Sequence, residues 1–588
     1  MGELWQDLKF GCRILIRYPR FATVAILMLA IGIGSNAAIF SVMNAVLLRP
    51  LPISNPDRVV LIWETDPNRG VQRGTVALPE VLDWREQTHV FDELSAYRTL
   101  FFTLTGNSEP EQIYGGQVSA NFFHLLGVNP ILGRGFLTEE QQPGNEQVTI
   151  LSYGLWQRRY GANRAIIGSA IALNGRSYVV VGVTPPGFSL FGSTRDDQLW
   201  VPFAYQRADL DRLDHEVTVF ARLKDGIPVA EAQAEMAVVL ARLKQEYPNF
   251  DQRNGVRVVR FEDDLVRGLG PAVILLMIAV ALLLLIVCAN VANLTLARNA
   301  VREREMAIRA AVGAGAGRIF RQILTESLLL ALIGGGLGIL FAYVGLTVLR
   351  AELAPEGVYR SIRHPDWIGI DGTVLWFTLG VSLLTGVVFA MAPAFQIFRA
   401  ALHDPLKEGG RGSSGGRRSR LLRSALVVCE VAVSLILLVG AGLLSRSLVA
   451  LLSEDMGFNP AHLLTMQVWL PQWRYASGGP VASFYDQLLT QVNQLPGVKS
   501  ASAVNFLPLT GWVDYCNFDI AGRARPPSGQ EFTSQFRVVD QRYLATMGVP
   551  IKKGRDFQSY DGPNTAGVAI INEALARRYW PTEDPIGK

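Results

Sequence analysis

An internal repeat links VSANFFHLLGVNPILGRGF at residues 118–136 to VDQRYLATMGVPIKKGRDF at residues 539–557, at a constant offset of 421. Chance would give about one identity in a window of this length, so the chain is interpreted as a tandem duplication. Six positions are identical: Val118/Val539, Gly127/Gly548, Val128/Val549, Gly133/Gly554, Arg134/Arg555 and Phe136/Phe557.

The second copy is shorter than the first. It matches as far as Ile586-Gly587, which correspond to Ile167-Gly168, whereas the first copy continues for more than 200 residues. We therefore expect the sequence to be a C-terminally truncated fragment of a protein of about 820 residues.

The composition indicates a membrane protein. Of the 588 residues, 49% are hydrophobic and only 18% are charged, and a chain of this length exceeds one ordinary hydrophobic core. Four cysteines are too few and too scattered for a disulfide framework, so each is interpreted as a small buried side chain.

Five apolar runs have the length needed to cross a bilayer, which is about 20 residues. The fifth run carries Glu430. The first run is too long and its flank too acidic for a cleaved signal peptide. We predict transmembrane helices at 21–48, 271–297, 322–349, 372–398 and 421–444.

Charges between the runs predict the orientation. Segments 1–20, 298–321 and 399–423 together hold 17 basic and 6 acidic side chains, and the rest of the chain holds 38 basic and 45 acidic ones. The three basic segments come after zero, two and four predicted crossings of the membrane. A cytoplasmic N-terminus therefore places all three of them on the cytoplasmic side.

This topology divides the chain into alternating segments. Residues 1–20 form a cytoplasmic N-terminus, 298–321 a cytoplasmic segment, and 399–420 a cytoplasmic linker rich in Gly, Ser and Arg. Residues 49–270 form a large outer domain, 350–371 an outer loop, and 451–588 a second, incomplete outer domain.

The outer domains have mixed patterns typical of an α+β fold. We predict strands at Val148–Leu151 and Ser177–Val183 and helices at Leu155–Gly161 and Val229–Tyr247. In the second copy we predict a strand at Val568–Ile571 and helices at Phe484–Leu495 and Glu573–Tyr579. The fold class is thus a multi-pass α-helical membrane protein with α+β extracytoplasmic domains.

The sequence gives no catalytic motif. There is no GxxxxGK[ST] phosphate loop and no HExxH, and the six histidines are widely separated. We expect no enzyme, no cofactor, no metal and no nucleic-acid partner.

Small residues in the membrane runs are candidates for helix packing, since they allow backbones to approach closely. The alternative is the ordinary tolerance of glycine in membrane helices. These residues are Gly32 and Gly34 in the first run and Gly334 and Gly338, which form a GxxxG, in the third.

The cytoplasmic segment RNAVREREMAIRAAVGAGAGRIFRQ at 298–322 combines a charged helix with glycine hinges. It suits docking of a soluble partner, or it is only a charged interfacial helix on membrane lipid; the residues themselves leave both readings open.

Three stretches resemble the MacB/FtsX-like ABC transporter permeases, and particularly the duplicated permeases of acidobacterial type. They are LAIGIGSNAAIFSVMNAVLLRPLP at 29–52, REREMAIRAAVGAGAGRIFRQILTESLLLALIGGGLGI at 302–339 and NGRSYVVVGVTPPGF at 174–188, which with the repeat element is similar to the family's extracytoplasmic core domain. The resemblance implies a MacB-like core domain at 49–270 and an FtsX-like permease domain at 271–400.

The same resemblance implies a function. A separate cytoplasmic ABC ATPase would dock on the matching segment, through Arg302, Glu303, Arg304, Glu305, Arg309 and Arg318, and its ATP-driven motion would reach the outer domains. The cargo would be peptides, macrolide-like compounds or lipoproteins, handled with other envelope proteins at the bacterial inner membrane. Two alternatives are an FtsX-like mechanical regulator of envelope enzymes and a membrane-anchored binding protein without an ATPase.

Overall fold

The computed structural model describes residues 2–49, 52–66, 71–106, 109–188, 197–247, 255–267, 270–301, 316–353, 368–403, 415–470, 475, 478–510, 514–526, 532–562 and 564–588. The chain separates into two compact units. The helical unit comprises Met1–Leu51, Ser189–Asp196 and Glu262–Leu451, and the α/β unit comprises Pro52–Phe188, Asp197–Phe261 and Leu452–Lys588.

In chain order the helices are α1 (Gly2–Arg17), α2 (Pro19–Met43), α3 (Leu78–Gln87), α4 (Phe122–Leu126), α5 (Tyr153–Tyr160), α6 (Val229–Glu246), α7 (Phe261–Val266), α8 (Gly270–Val301), α9 (Ala316–Leu353), α10 (Gly372–His403), α11 (Gly415–Leu452), α12 (Gly478–Asn493), α13 (Tyr543–Met547) and α14 (Glu573–Tyr579). The strands are β1 (Val59–Asp66), β2 (Val71–Gly74), β3 (Val76–Ala77), β4 (Phe91–Thr105), β5 (Glu111–Val118), β6 (Leu132–Gly133), β7 (Val148–Leu151), β8 (Ala170–Leu173), β9 (Arg176–Val183), β10 (Leu199–Pro202), β11 (His215–Leu223), β12 (Gly255–Arg260), β13 (Asp514–Phe518) and β14 (Phe532–Phe536).

The helical unit contains the apolar helices. Five of the helices in the described ranges are long and apolar enough to cross a membrane, at Pro19–Leu48, Gly270–Thr295, Phe320–Ala351, Gly372–Met391 and Val427–Leu452. This agrees with the predicted multi-pass fold. The last apolar window lies further along the chain than the predicted 421–444, because SRSLVALL at 445–452 continues the helix with Arg446 as its one charge, and a long arginine stem tolerates an apolar setting near a helix end.

Helix α2 lies at the centre of a shared apolar core. Its Leu29 and Ile33 pack with Val291 of α8, Leu330 of α9 and Phe389 of α10. All five side chains are almost fully buried. Long apolar helices that bury small and branched side chains against one another give the close packing on which helix association in membranes depends.

The α/β unit is built on a mixed sheet, whose strand order is β12-β1-β11-β4-β5-β10-β7-β9-β6. Most neighbours are antiparallel, but β5 with β10 and β7 with β9 are parallel. The apolar cores along the sheet include, among the described residues, one around Trp84 and Met236 and another around Trp156 and Val180.

Most elements predicted for the first copy are present with small shifts at their ends. The predicted strand Val148–Leu151 matches β7, and Ser177–Val183 falls within β9. The predicted helices Leu155–Gly161 and Val229–Tyr247 correspond to α5 and α6. The α+β interpretation of this domain is confirmed.

The second copy is only partly organised as the sequence suggested. Helix α14 has the predicted bounds, and α12 covers most of the predicted helix. The strand predicted at Val568–Ile571 is wrong: these residues have no strand structure and are mostly exposed. In the first copy β7 pairs with β9 and β10. Among the described residues, no strand pairs with Val568–Ile571.

The repeated element has the same backbone in both copies. Gly127 ends α4 with φ of 66°, and Gly548 ends α13 with φ of 69°. Glycine adopts this left-handed conformation without the steric cost that other residues meet. The last helical carbonyl also accepts a bond in each copy, from Ser54 N–H to Leu126 and from Asn459 N–H to Met547. The two copies of this element therefore share local backbone structure as well as sequence.

Candidate functional site

The candidate site is the set of contacts that α2 makes with its neighbours in the helical unit. Its closest approach is to α9. A Cβ atom built on Gly34 would lie 2.7 Å from the carbonyl oxygen of Gly338, and one on Gly338 would lie 3.0 Å from the nitrogen of Gly34. Because the atoms in contact are backbone atoms, no side-chain rotation could make room for a methyl group.

The four candidate packing glycines do not all meet one partner. Gly34, Gly334 and Gly338 lie at the contact between α2 and α9, where a Cβ on Gly334 would lie 2.6 Å from Leu29 Cβ. Gly32 instead faces α8, with Leu284 and Val287 each 3.2 Å from its ideal Cβ position. Their proposed role in helix association stays a prediction.

Asn36 provides a polar link from α2 to α8 that the sequence analysis did not single out. Its side-chain amide donates to the carbonyl of Gly32, one turn earlier, and to the carbonyl of Val280 in α8, both at 2.8 Å. The residue is 3% exposed. Its signal in the sequence is an amide in an apolar run, where an unsatisfied polar group would be costly.

The C-terminal end of α2 is joined to the start of α10. Ser41 Oγ donates to the Gly369 carbonyl at 2.6 Å, and Asn44 Nδ2 donates to Asp371 Oδ2 at 3.0 Å. The other oxygen of Asp371 accepts from the N–H of Val374 at 2.9 Å, which caps the first turn of α10. The rings of Phe40 and Phe377 stack with centroids 3.8 Å apart.

A third small-residue contact joins α9 to α10. A Cβ on Gly335 would meet Ser382 Oγ at 2.2 Å, and one on Gly386 would meet Leu328 Cδ2 at 2.9 Å. Helix α2 thus contacts α8, α9 and α10 through apolar packing, close backbone approach and buried hydrogen bonds. Such an arrangement favours movement of these helices as a group rather than singly.

The predicted ATPase-docking residues cannot be placed in this geometry. Arg302, Glu303, Arg304, Glu305 and Arg309 lie outside the described residues. Arg318 belongs to the first turn of α9, and the structure describes only its backbone. The docking role stays a prediction.

Together the fold and the helix contacts define a multi-pass membrane protein with an α+β domain inserted between its first two spans. The model of the MacB-like periplasmic core domain matches residues 22–239 and 424–588, and that of the FtsX-like permease C-terminal region matches 277–402. The chain belongs to the MacB/FtsX-like family of ABC transporter permeases.

Curated relatives agree with this assignment. The macrolide export ATP-binding/permease protein MacB of Burkholderia lata is 30% identical over 291 residues, which cover 49% of this chain and 39% of that protein. MacB of Escherichia coli K12 is 28% identical over 291 residues, 49% of this chain and 42% of that protein. The chain thus spans less than half the length of these relatives.

Among solved structures, the periplasmic region of MacB from Actinobacillus actinomycetemcomitans aligns with 14% identity and a TM-score of 0.27, over 37% of this chain and 94% of that one.

Family membership carries several consequences. The family is a membrane component of transporters rather than a catalytic family, and its permeases work with ATPase partners. The protein is a multi-pass protein of the bacterial inner membrane. The same core-domain model matches both copies, which confirms the tandem duplication.

Proposed function

We propose that this chain is a permease subunit that transmits ATP-driven motion from a separate cytoplasmic ATPase to its extracytoplasmic domains, for export. The curated relatives are named for ATP binding and permease activity together. This sequence contains no phosphate-binding loop of the GxxxxGK[ST] type. The proposal places the ATPase on a separate subunit, as the resemblance to the duplicated permeases implies.

The observation that carries the proposal is the packing of α2 against both α8 and α9. Gly34 meets the backbone of Gly338, and Asn36 is bonded to the Val280 carbonyl. The α+β domain is inserted in the chain between α2 and α8, so the helices that lead into and out of it belong to one packed group. A displacement of that group moves both attachment points of the inserted domain.

The orientation is part of the proposal. The three segments rich in Lys and Arg follow even numbers of crossings, which favours a cytoplasmic N-terminus and places residues 298–321 on the cytoplasmic side. This segment connects α8 to α9, which are two of the helices that contact α2. An ATPase docked on Arg302, Glu303, Arg304, Glu305, Arg309 and Arg318 would act directly on the packed group.

The proposed cargo follows the names and general chemistry of the family. Macrolide-like compounds are proposed because the relatives are named for macrolide export, and peptides and lipoproteins are proposed as further classes. Membrane lipid surrounds the apolar helices, and other envelope proteins are proposed partners of the extracytoplasmic domains.

The test is co-purification with the ATPase encoded nearest to this chain. Both proteins are expressed together, the permease is tagged, and bound ATPase and ATP hydrolysis are measured. We expect the double variant Glu303→Lys, Glu305→Lys to lose most of both signals. The matched control is Glu3→Lys, Asp7→Lys, which makes the same charge change in the N-terminal segment on the same proposed side.

Each outcome decides between functions. Equal association in both variants overturns docking on this segment. Absence of any bound ATPase favours a membrane-anchored binding protein. Association that supports ATP hydrolysis without movement of erythromycin or labelled peptide in efflux assays favours the FtsX-like regulator of envelope enzymes.

A further inference from the structure

Three titratable side chains converge inside the α/β unit, away from the helix contacts described above. Glu64 lies near the end of β1, Glu80 in the first turn of α3, and His215 at the start of β11. One ligand atom from each lies within 4.8 Å of the other two. Within the described ranges this is the one such convergence of His, Cys, Asp or Glu side chains.

The fold holds these residues through three separate elements. Strand β1 pairs with β11, and β11 pairs with β3 so that His215 lies opposite Ala77. Ala77 immediately precedes α3, the helix that carries Glu80. Thr75 Oγ1 also donates to the His215 carbonyl. The cluster therefore depends on the sheet and not on a mobile surface loop.

Burial makes the charges of this cluster important. Glu64 is 1% exposed and Glu80 is 5% exposed, and the side chain of His215 is 12% exposed. Asp66 is two residues along β1 from Glu64, on the same face of the strand, and is also 1% exposed. A bound cation would stabilise buried carboxylates arranged in this way.

The donor set indicates the kind of cation. One imidazole nitrogen and two carboxylate oxygens suit zinc and neighbouring divalent metals, whereas magnesium and calcium prefer oxygen donors alone. Ligands bonded to one tetrahedral ion at about 2.0–2.2 Å lie about 3.3–3.6 Å apart. Side-chain adjustments of up to about 1.5 Å would bring the three ligand atoms to that separation.

We propose that Glu64, Glu80 and His215 bind a divalent metal ion of the zinc type, with water completing the coordination. The ion joins α3 to β1 and β11 and acts as a structural clamp on this part of the sheet. The site is independent of the permease function proposed above, because none of its residues belongs to the helical unit.

The test uses the full chain in detergent, with any affinity tag removed and metals stripped by a chelator. Zn²⁺ alone is titrated by calorimetry, and bound metal is counted by mass spectrometry after dialysis. We expect one ion per chain and a rise in the melting temperature on binding. Glu80→Gln and His215→Gln should each weaken binding by about tenfold or more.

The matched control is His124→Gln. His124 forms an exposed pair with Glu93 in the same unit, so its loss should leave Zn²⁺ affinity unchanged. A wild-type chain without stoichiometric Zn²⁺, or variants that bind it as tightly as the wild type, would show that Glu64 and His215, 2.9 Å apart, form only an ion pair. If the variants misfold, the metal-free wild-type protein is loaded with Co²⁺ instead of Zn²⁺. A mixed nitrogen and oxygen site gives the absorption bands of tetrahedral Co²⁺, and an absent site gives none.

Discussion

Arg134 and Glu140 form a two-point ion pair, with Nη2 to Oε1 at 2.6 Å and Nη1 to Oε2 at 3.2 Å. The second copy contains the same arrangement between Arg555 and Asp561, at 2.6 and 2.8 Å. In each copy the carboxylate also accepts a backbone N–H three residues earlier, from Leu137 or Gln558 at 2.8 Å. The acidic residue differs between copies, yet the loop after the repeated glycine is closed in the same way.

The first prediction concerns Glu140, whose side chain is 9% exposed. Glu140→Gln removes the charge and one acceptor, so Arg134 and the Leu137 N–H compete for a single oxygen. We expect the local opening free energy to fall by about 1–2 kcal/mol, less than for a fully buried pair because Arg134 is partly in water. Hydrogen exchange of peptides covering 134–142 measures this change.

Glu139→Gln is the control for that experiment, since Glu139 is the adjacent exposed carboxylate. Its effect should stay within about 0.5 kcal/mol. Equal exchange in both variants would mean that the ion pair does not hold the loop.

The second prediction is a pH dependence in the second copy. The Arg555 guanidinium and then the Gln558 N–H stabilise the ionised carboxylate, so the pKa of Asp561 lies below its ordinary value. A lowered folded-state pKa gives stability that is complete above the unfolded value of about 3.9 and is lost as the pH falls through the folded value. Exchange protection of residues 555–561, corrected for intrinsic rates, should therefore decline between about pH 5 and pH 3. Asp561→Asn should lack this decline, and an identical profile in the variant would contradict the assignment.

The sequence contained enough information for the membrane architecture because the signal is local. About 20 consecutive apolar residues predict a spanning helix wherever the chain folds, and the five candidate spans agree. The glycine cap at Gly127 and Gly548 is also local. Strand pairing is not local: Val568–Ile571 has the composition of β7 and yet forms no strand, because a strand requires a partner.

Contacts between distant residues were beyond sequence reasoning. Gly32 and Gly34 are two residues apart, but one faces α8 and the other faces α9, because two residues rotate a helix by about 200°. Asn36 bonds to a carbonyl 244 positions away. Glu64 and His215 likewise become neighbours only through the pairing of β1 with β11.

The third prediction compares two glycines with opposite environments. Gly34→Ala places a methyl group 2.7 Å from the Gly338 oxygen, so the helices must separate. We expect a loss of about 1–3 kcal/mol. In Gly336→Ala the added methyl group has no described neighbour atom within 4 Å beyond the adjacent residues and the backbone of its own helix. This substitution should stabilise α9 by up to about 1 kcal/mol through helix propensity. Melting temperatures in detergent should move in opposite directions, and a shift of the same sign in both would contradict the packing model.

The fourth prediction separates the two roles of Asp371, which caps α10 and accepts a bond from Asn44. Asp371→Ala removes both and should cost about 1–2 kcal/mol. Asn44→Ala removes only the bond between helices and should cost about 0.5–1 kcal/mol. In the double variant the Asn44 contribution is already absent, so the two losses should sum to more than the double variant shows. Asp371→Asn is the conservative control, since one oxygen remains to cap Val374 and Asn44 can turn its own oxygen toward the new amide. Strict additivity in melting measurements would show that the Asn44 bond contributes nothing, and α2 would then be joined to α10 by the Ser41 bond and the Phe40 stack alone.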